Sequence, residues 1–207
     1  MISLLARAAP PYKVRVRTCK TCVKAGSLSR RGGRIERIGG LLTGCGPSVL
    51  EALRAAGWRA GRRIDTETWT QRLVAVGFEF NDVAIAVWAE FGELTIKSSP
   101  ARASSSSLRL DPVDACIDAS AEAQRLRRRY GENYSPLGMW SIQYRSYVAA
   151  SGRVIAVGPG FLWQLGTSFA EVLSFVVDGD GGPDRTERAP WLRPRHIPSQ
   201  ERSHQVG

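Results

Sequence analysis

Apolar positions between residues 47 and 92 recur three and four apart, and each run is closed by a glycine. That spacing predicts three short helices. Ser48-Val-Leu-Glu51 reads as a capping box, in which the serine oxygen and the glutamate side chain satisfy each other's free amides. Helix 49–56 follows, with Gly57 as its left-handed stop. Asp65 is placed to cap the second helix, whose Trp69, Leu73 and Val76 share one face before Gly77. A third begins at Asn81. Phe80 and Ile85 are spaced as a hydrophobic staple there, Ala84, Val87, Trp88 and Phe91 form the inner face, and Gly92 closes the helix.

Beyond residue 92 the period changes. "LTIK" (94–97) and "SLRL" (107–110) alternate like half-buried strands, joined by the loop "SSPARASSS". Asp111-Pro112 reads as N-cap and first helical residue of a long helix to about Tyr130, with Cys116, Ala119, Ala123, Leu126 and Tyr130 as its core stripe. Acids lie early in it and arginines late, which suits the helix dipole. After "GENYSPLG", residues 140–148 alternate as a strand, and Ser151-Gly152 turns into "RVIAV" as a hairpin. "GPGFLWQLG" then shapes a turn before the last helix, opened by a second capping box at Ser168-Phe-Ala-Glu171 and ended by Gly179. The order of elements predicts an α+β fold, an antiparallel sheet with helices packed on one face and at the ends.

The flanks read differently. Residues 1–46 lack a sustained period and are punctuated by "RRGGR", "IGG" and "GCG", so a basic, mostly disordered N-terminal arm is expected. Residues 181–207, rich in Gly, Pro and charge, are expected to form a disordered tail, leaving 47–180 as the folded domain. The net charge of +10 divides along these lines: residues 1–46 carry ten Lys or Arg against one acid, whereas 47–180 carry fourteen basic against fifteen acidic side chains. A charge-based case for nucleic-acid binding therefore fails for the domain and holds, weakly, for the arm alone. No apolar run reaches the ~18 residues of a membrane span. The five-residue apolar start before Arg7 is shorter than a secretory core. Four scattered cysteines do not make a disulfide framework, and a reducing cytoplasm is the expected location.

Candidate chemistry is sparse. Both histidines, His196 and His204, lie in the expected tail, so the domain has no imidazole for acid–base work. Cys116 falls on a core stripe and reads as a small buried hydrophobe. Glu90 and Glu93 flank Gly92 and could pair, but they read as solvated residues at a helix end. Cys19-Lys-Thr-Cys22 has the spacing of half a zinc site with Cys45 as a third ligand, and a fourth is missing nearby. No catalytic residue, metal or cofactor is expected.

The stretch "AAGWRAGRRID" (55–65) admits two readings, a stacking, basic grip on nucleic acid or a joint between two helices. The near-neutral domain around it favours the joint, since nucleic-acid affinity rests on phosphate neutralisation.

Taken in order, "LRAAGWRAGRRID", "VWAEFGEL", "YSPLG", "GRVIAVG" and "LGTSFAEVLSFVVDG" resemble the SUKH superfamily, and look most like its group-three bacterial immunity proteins, which are encoded beside polymorphic toxins. The motif positions are Gly57, Trp58, Arg62, Phe91, Gly92, Pro136 and Gly138. Where the family usually shows Phe-Gly-Gly-Leu this chain has Phe91-Gly92-Glu93-Leu94, and Leu137 replaces a common isoleucine. The resemblance implies a SUKH-like fold and an immunity protein that binds and occludes a cognate toxin domain, a nuclease or a deaminase, without catalysis. Aromatic and charged residues near sheet turns are then the toxin-binding candidates: Glu90, Glu93, Glu132, Tyr134 and Trp140. The same aromatics also suit a core. The alternative is a nucleic-acid- or zinc-binding module acting through the CxxC-containing arm.

Overall fold

The computed structural model describes residues 40–179 and 185–192. The basic arm up to residue 39, with Cys19 and Cys22, and both histidines lie outside the described residues. Helices α1 (Pro47–Ala55), α2 (Glu67–Ala75) and α3 (Asp82–Phe91) precede strands β1 (Thr95–Lys97) and β2 (Ser107–Arg109). Helices α4 (Pro112–Cys116) and α5 (Ser120–Tyr130) follow, then β3 (Tyr134–Trp140), β4 (Tyr144–Ala149), β5 (Val154–Gly158), β6 (Phe161–Gly166), α6 (Phe169–Val177), β7 (Thr186–Arg188) and a 3-10 turn at Pro190–Leu192. The seven strands form one antiparallel meander in chain order, so the fold is α+β as expected.

Alternation along β3 and β4 sorts the helices. Tyr147 donates its hydroxyl to Glu122 of α5 at 2.6 Å, and the Tyr134 ring lies 5.9 Å from that of Tyr130, which puts α4 and α5 over one face. Ser135 accepts from the Asn81 amide before α3, and Trp140 lies 5.9 Å from Phe175 of α6, so α3 and α6 cover the other.

The expected long helix from 111 to 130 is two helices. Asp111 caps α4 as expected, accepting from the Asp114 amide at 3.0 Å. The break has a specific cause: a continuous helix would give the Ala115 carbonyl to the amide of Ala119, but Arg145 of β4 takes that carbonyl at 3.1 Å and the Ala119 amide turns back to Cys116. The core stripe survives, with Cys116, Ala119, Ala123 and Leu126 all buried.

The sheet holds more strand than the sequence suggests. "YSPLG" is not a loop but most of β3. Proline argues against a central strand because it cannot donate to the ladder. Pro136 is admitted because β2 pairs only with Met139 and Trp140, so at Pro136 the strand has β4 alone beside it, and a register shift follows between Pro136 and Gly138. Gly138 is required by close approach, since a Cβ there would lie 1.9 Å from the Arg109 carbonyl oxygen. The single strand expected at 140–148 is broken by a reversal at 141–143, where Ser141 and Ile142 have φ of 48° and 70°. In "GPGFLWQLG" Gly158 ends β5, only Pro159 and Gly160 turn, and the rest is β6. Residues 185–192, assigned by composition to the tail, add β7 beside β6 and bury Ala189 and Leu192.

Helix starts also differ in detail. Gly46 is the N-cap of α1 without a side-chain bond, Pro47 fills the first turn, and the Ser48 hydroxyl donates to Asp178 at 2.9 Å instead of closing a capping box. That bond ties α1 to the end of α6. Asp65 accepts from the Glu67 amide, one residue ahead of the cap position held by Thr66. Asn81 caps α3 as expected and its amide group also donates to the Val148 carbonyl at 3.0 Å, fixing the helix to β4. Ser168 caps α6, and Glu171 returns to Thr167.

Trp88 is fully buried and donates to the Pro136 carbonyl at 3.1 Å. Trp88→Phe leaves that carbonyl unsatisfied and should cost on the order of 2 kcal/mol in urea unfolding; a loss under about 0.5 kcal/mol would mean another donor replaces it. For the domain boundary we expect residues 47–192 to melt several degrees above residues 47–180, since the shorter chain loses a buried leucine worth about 2 kcal/mol. Equal melting temperatures would put the boundary at 180.

Candidate functional site

The stretch around Trp58 is a joint. Gly57 adopts φ 94° after α1, its amide bonds the Arg54 carbonyl, and the Trp58 amide bonds Leu53 at 2.9 Å, the paired bonds of a Schellman stop. Trp58 then stacks on Phe91 with the rings 6.3 Å apart and 7° from parallel, and its indole N–H donates to Glu90 at 3.2 Å. Arg62 donates to the Glu90 carbonyl at 2.9 Å, and the Ile64 amide to Ala89. These bonds seal the end of α3. Gly92 is fixed by contact, because a Cβ there would meet the Trp88 carbonyl, Ile64 and Trp69 within 2.7 Å.

Glu90 and Glu93 are brought together through Arg62, whose guanidinium reaches Glu93 at 3.8 Å. Their settings differ. Glu90 is 6% exposed, and burial pushes its carboxyl above the usual range, against the opposing pull of the Trp58 bond and the charge of Arg63. The Glu93 side chain is 66% exposed, and its backbone has φ 66°, the left-handed region where the family's glycine would sit without cost. The close backbone contact at this turn is nevertheless made, with the Glu93 amide 2.8 Å from the Leu110 carbonyl.

The other candidates lie elsewhere. Glu132 accepts from Arg153 at 2.6 Å and from the Ser151 amide, before the start of β3. Burial pushes its carboxyl up, and the Ser151 and Arg153 bonds overcome that, so it stands below the usual value. Tyr134 is buried with its hydroxyl 3.4 Å from Glu132, and burial pushes that hydroxyl well above its ordinary value. Trp140 is buried at the far end of β3, its indole N–H donating to Ser106 at 3.0 Å. The five residues thus occupy three separate places and do not form one surface.

Cys116 is buried beneath Tyr147 and Glu122, and burial raises its thiol far from the thiolate. Among the described residues no three His, Cys, Asp or Glu side chains converge as metal ligands, and no helix is long and apolar enough to cross a membrane. Sequence reasoning did not single out an aromatic group on β4, β6 and α6. Tyr144 and Trp163 approach to 4.4 Å, Phe161 lies 6.1 Å from Trp163, and Phe175 carries the Arg102 guanidinium 5.3 Å above its ring. The signal was present in the aromatics of "GFLWQLG", hidden because that segment read as a turn.

The family described as SUKH-3 immunity protein matches this chain over residues 45–179. The chain belongs to that family. Among curated proteins and among solved structures, none matches it. The SUKH-3 match spans every element from α1 to α6 and all the motif positions, while β7 lies beyond it.

The buried Glu90 gives a pH test. A carboxyl whose folded pKa is raised contributes stability that is present at low pH and is lost as pH rises through the folded value. Glu90→Gln keeps an acceptor for Trp58 and removes the charge. We expect its melting temperature to fall less than the wild type's as pH rises from about 4 to 7. Parallel pH profiles for the two proteins would show that Glu90 carries no such penalty.

Proposed function

We propose that this SUKH-3 chain acts in the cytoplasm by binding and occluding one toxin domain encoded by a neighbouring gene, a nuclease or a deaminase, with no chemistry of its own. The family match across the whole set of elements from α1 to α6 carries this reading. The side chains support it. Glu90, Glu132, Tyr147 and Trp88 are each engaged by a partner within the fold, which leaves a rigid scaffold.

Occlusion predicts stoichiometry. The chain should form a one-to-one complex with the neighbouring toxin domain, residual toxin activity should track the free toxin fraction, and activity should return when the complex is separated in denaturant and the toxin refolded. Deleting residues 1–46 should leave protection intact. Sub-stoichiometric silencing of excess toxin would require turnover and would refute occlusion. Loss of protection on deleting the arm, with the domain still folded, would transfer the function to the arm.

A further inference from the structure

Strands β3 to β6 present an unusual charge pattern. No Asp or Glu occurs in residues 94–110 or 133–170, so the loop between β1 and β2, both tight turns at 141–143 and 159–160, and all four central strands lack carboxylates. The two turns and the loop come together at one end of the sheet: the Ser141 amide bonds Ser107 at the start of β2, and Tyr144 lies beside Gly158 before the second turn. Arg102 from the loop covers Phe175, and Arg188 of β7 stands opposite Phe161.

On the face that carries α6, this end of the sheet extends beyond the helix. Phe161 is 39% exposed, and Tyr144, Trp163 and Phe175 are half-buried beside it. Gly158 leaves the space that the Trp163 and Tyr144 rings fill, since a Cβ there would approach both to 2.9 Å. At the edge of the strip, on the tip of the 141–143 turn, stands Ile142, 86% exposed and at φ 70°, with Asp114 and Asp118 lining the groove on its α4 side. A β-branched residue in the left-handed region is a backbone outlier, and glycine or asparagine would sit there more comfortably. Nothing within the fold compensates, because the side chain is almost wholly in solvent.

We propose that this strip, Ile142, Tyr144, Phe161 and Trp163 bordered by Arg102 and Arg188, is where the toxin docks, and that the toxin presents an apolar centre ringed by carboxylates. The assignment rests on the immunity reading above. Charge complementarity selects the partner's sign, since on the α6 face the strands and turns of the strip carry no carboxylate and Arg102 and Arg188 edge it, which favours an acidic partner. Aromatic and arginine side chains of this kind concentrate binding energy at interfaces.

The test uses the full chain, titrated with the toxin domain encoded by the neighbouring gene. Ile142→Asn combined with Arg188→Glu should weaken the complex at least tenfold, more steeply at low salt, while the melting temperature stays equal or rises because asparagine accepts the left-handed backbone. Glu93→Lys, at the end of α3, should leave affinity within twofold. Undiminished binding by the double variant, or loss with Glu93→Lys instead, overturns the docking assignment and leaves the immunity reading standing. A fall in melting temperature that accounts for lost binding would make Ile142 structural and overturn it equally. Failure of the wild-type chain to bind at micromolar concentration overturns the immunity reading, and this assignment with it.

Discussion

The bond from Trp88 to the Pro136 carbonyl is the constraint on which the arrangement of the sheet rests. Pro136 lies in the half of β3 that pairs with β4 alone, an edge position where its missing N–H is tolerated. The bulge at Leu137 breaks the ladder there, and a broken ladder in a dry core leaves a carbonyl that must find a donor. Trp88 supplies it from α3 while its ring packs edge-on to Phe80 at 5.2 Å. Immediately beyond, Gly138 lets the Arg109 backbone come closer than any side chain permits. Bulge, indole and glycine together bend β3 so that its first half pairs only with β4 and its last two residues also with β2.

That same bend explains what could and could not be read from the sequence. The helices were legible because their signals are local: Gly57, Gly77 and Gly179 all adopt the left-handed stops their positions imply, and Asn81, Asp111 and Ser168 all cap. Features decided by distant partners were not. Ser48 has the spacing of a capping box, yet Asp178, 130 residues away, takes its hydroxyl. The helix from Asp111 is periodic throughout, yet Arg145 claims the carbonyl at its middle. β3 was hidden by its proline, and the reversal at 141–143 by an isoleucine where turn chemistry would put glycine or asparagine. The candidate site suffered from the same cause. Trp140 looked like a presented aromatic because residues 140–148 read as one strand, whereas it ends β3 and is closed over by Tyr144, Trp163 and Phe175.

The buried polar groups make the scaffold specific more than they make it stable. Glu90 gains a bond from Trp58 but stays under a desolvation penalty, and a well-packed apolar side chain in its place could hold α3 as firmly. What the carboxylate adds is direction: the indole N–H and the Arg62 bond to the backbone of the same residue admit one relative placement of the joint and the helix end. Glu122 does the equivalent on the other face, where Tyr147 and Arg145 converge on it from β4. A protein that must present a fixed shape to one partner benefits from this more than from a few tenths of a kcal/mol in either term.

The devices that hold the sheet and the groups at its exposed end are physically separate. Trp88, Pro136, Gly138 and Asn81 fix β3 and β4 from within, whereas the turns at 141–143 and 159–160 lie beyond the register they impose. Side chains at such positions change with little cost to the fold, typically within about 0.5 kcal/mol. An immunity protein needs that separation, because its partner's surface can change while its own core cannot. The left-handed backbone at Ile142 belongs to this outer set: it taxes stability locally, and the β3–β4 pairing beneath it holds its geometry whichever residue occupies the tip.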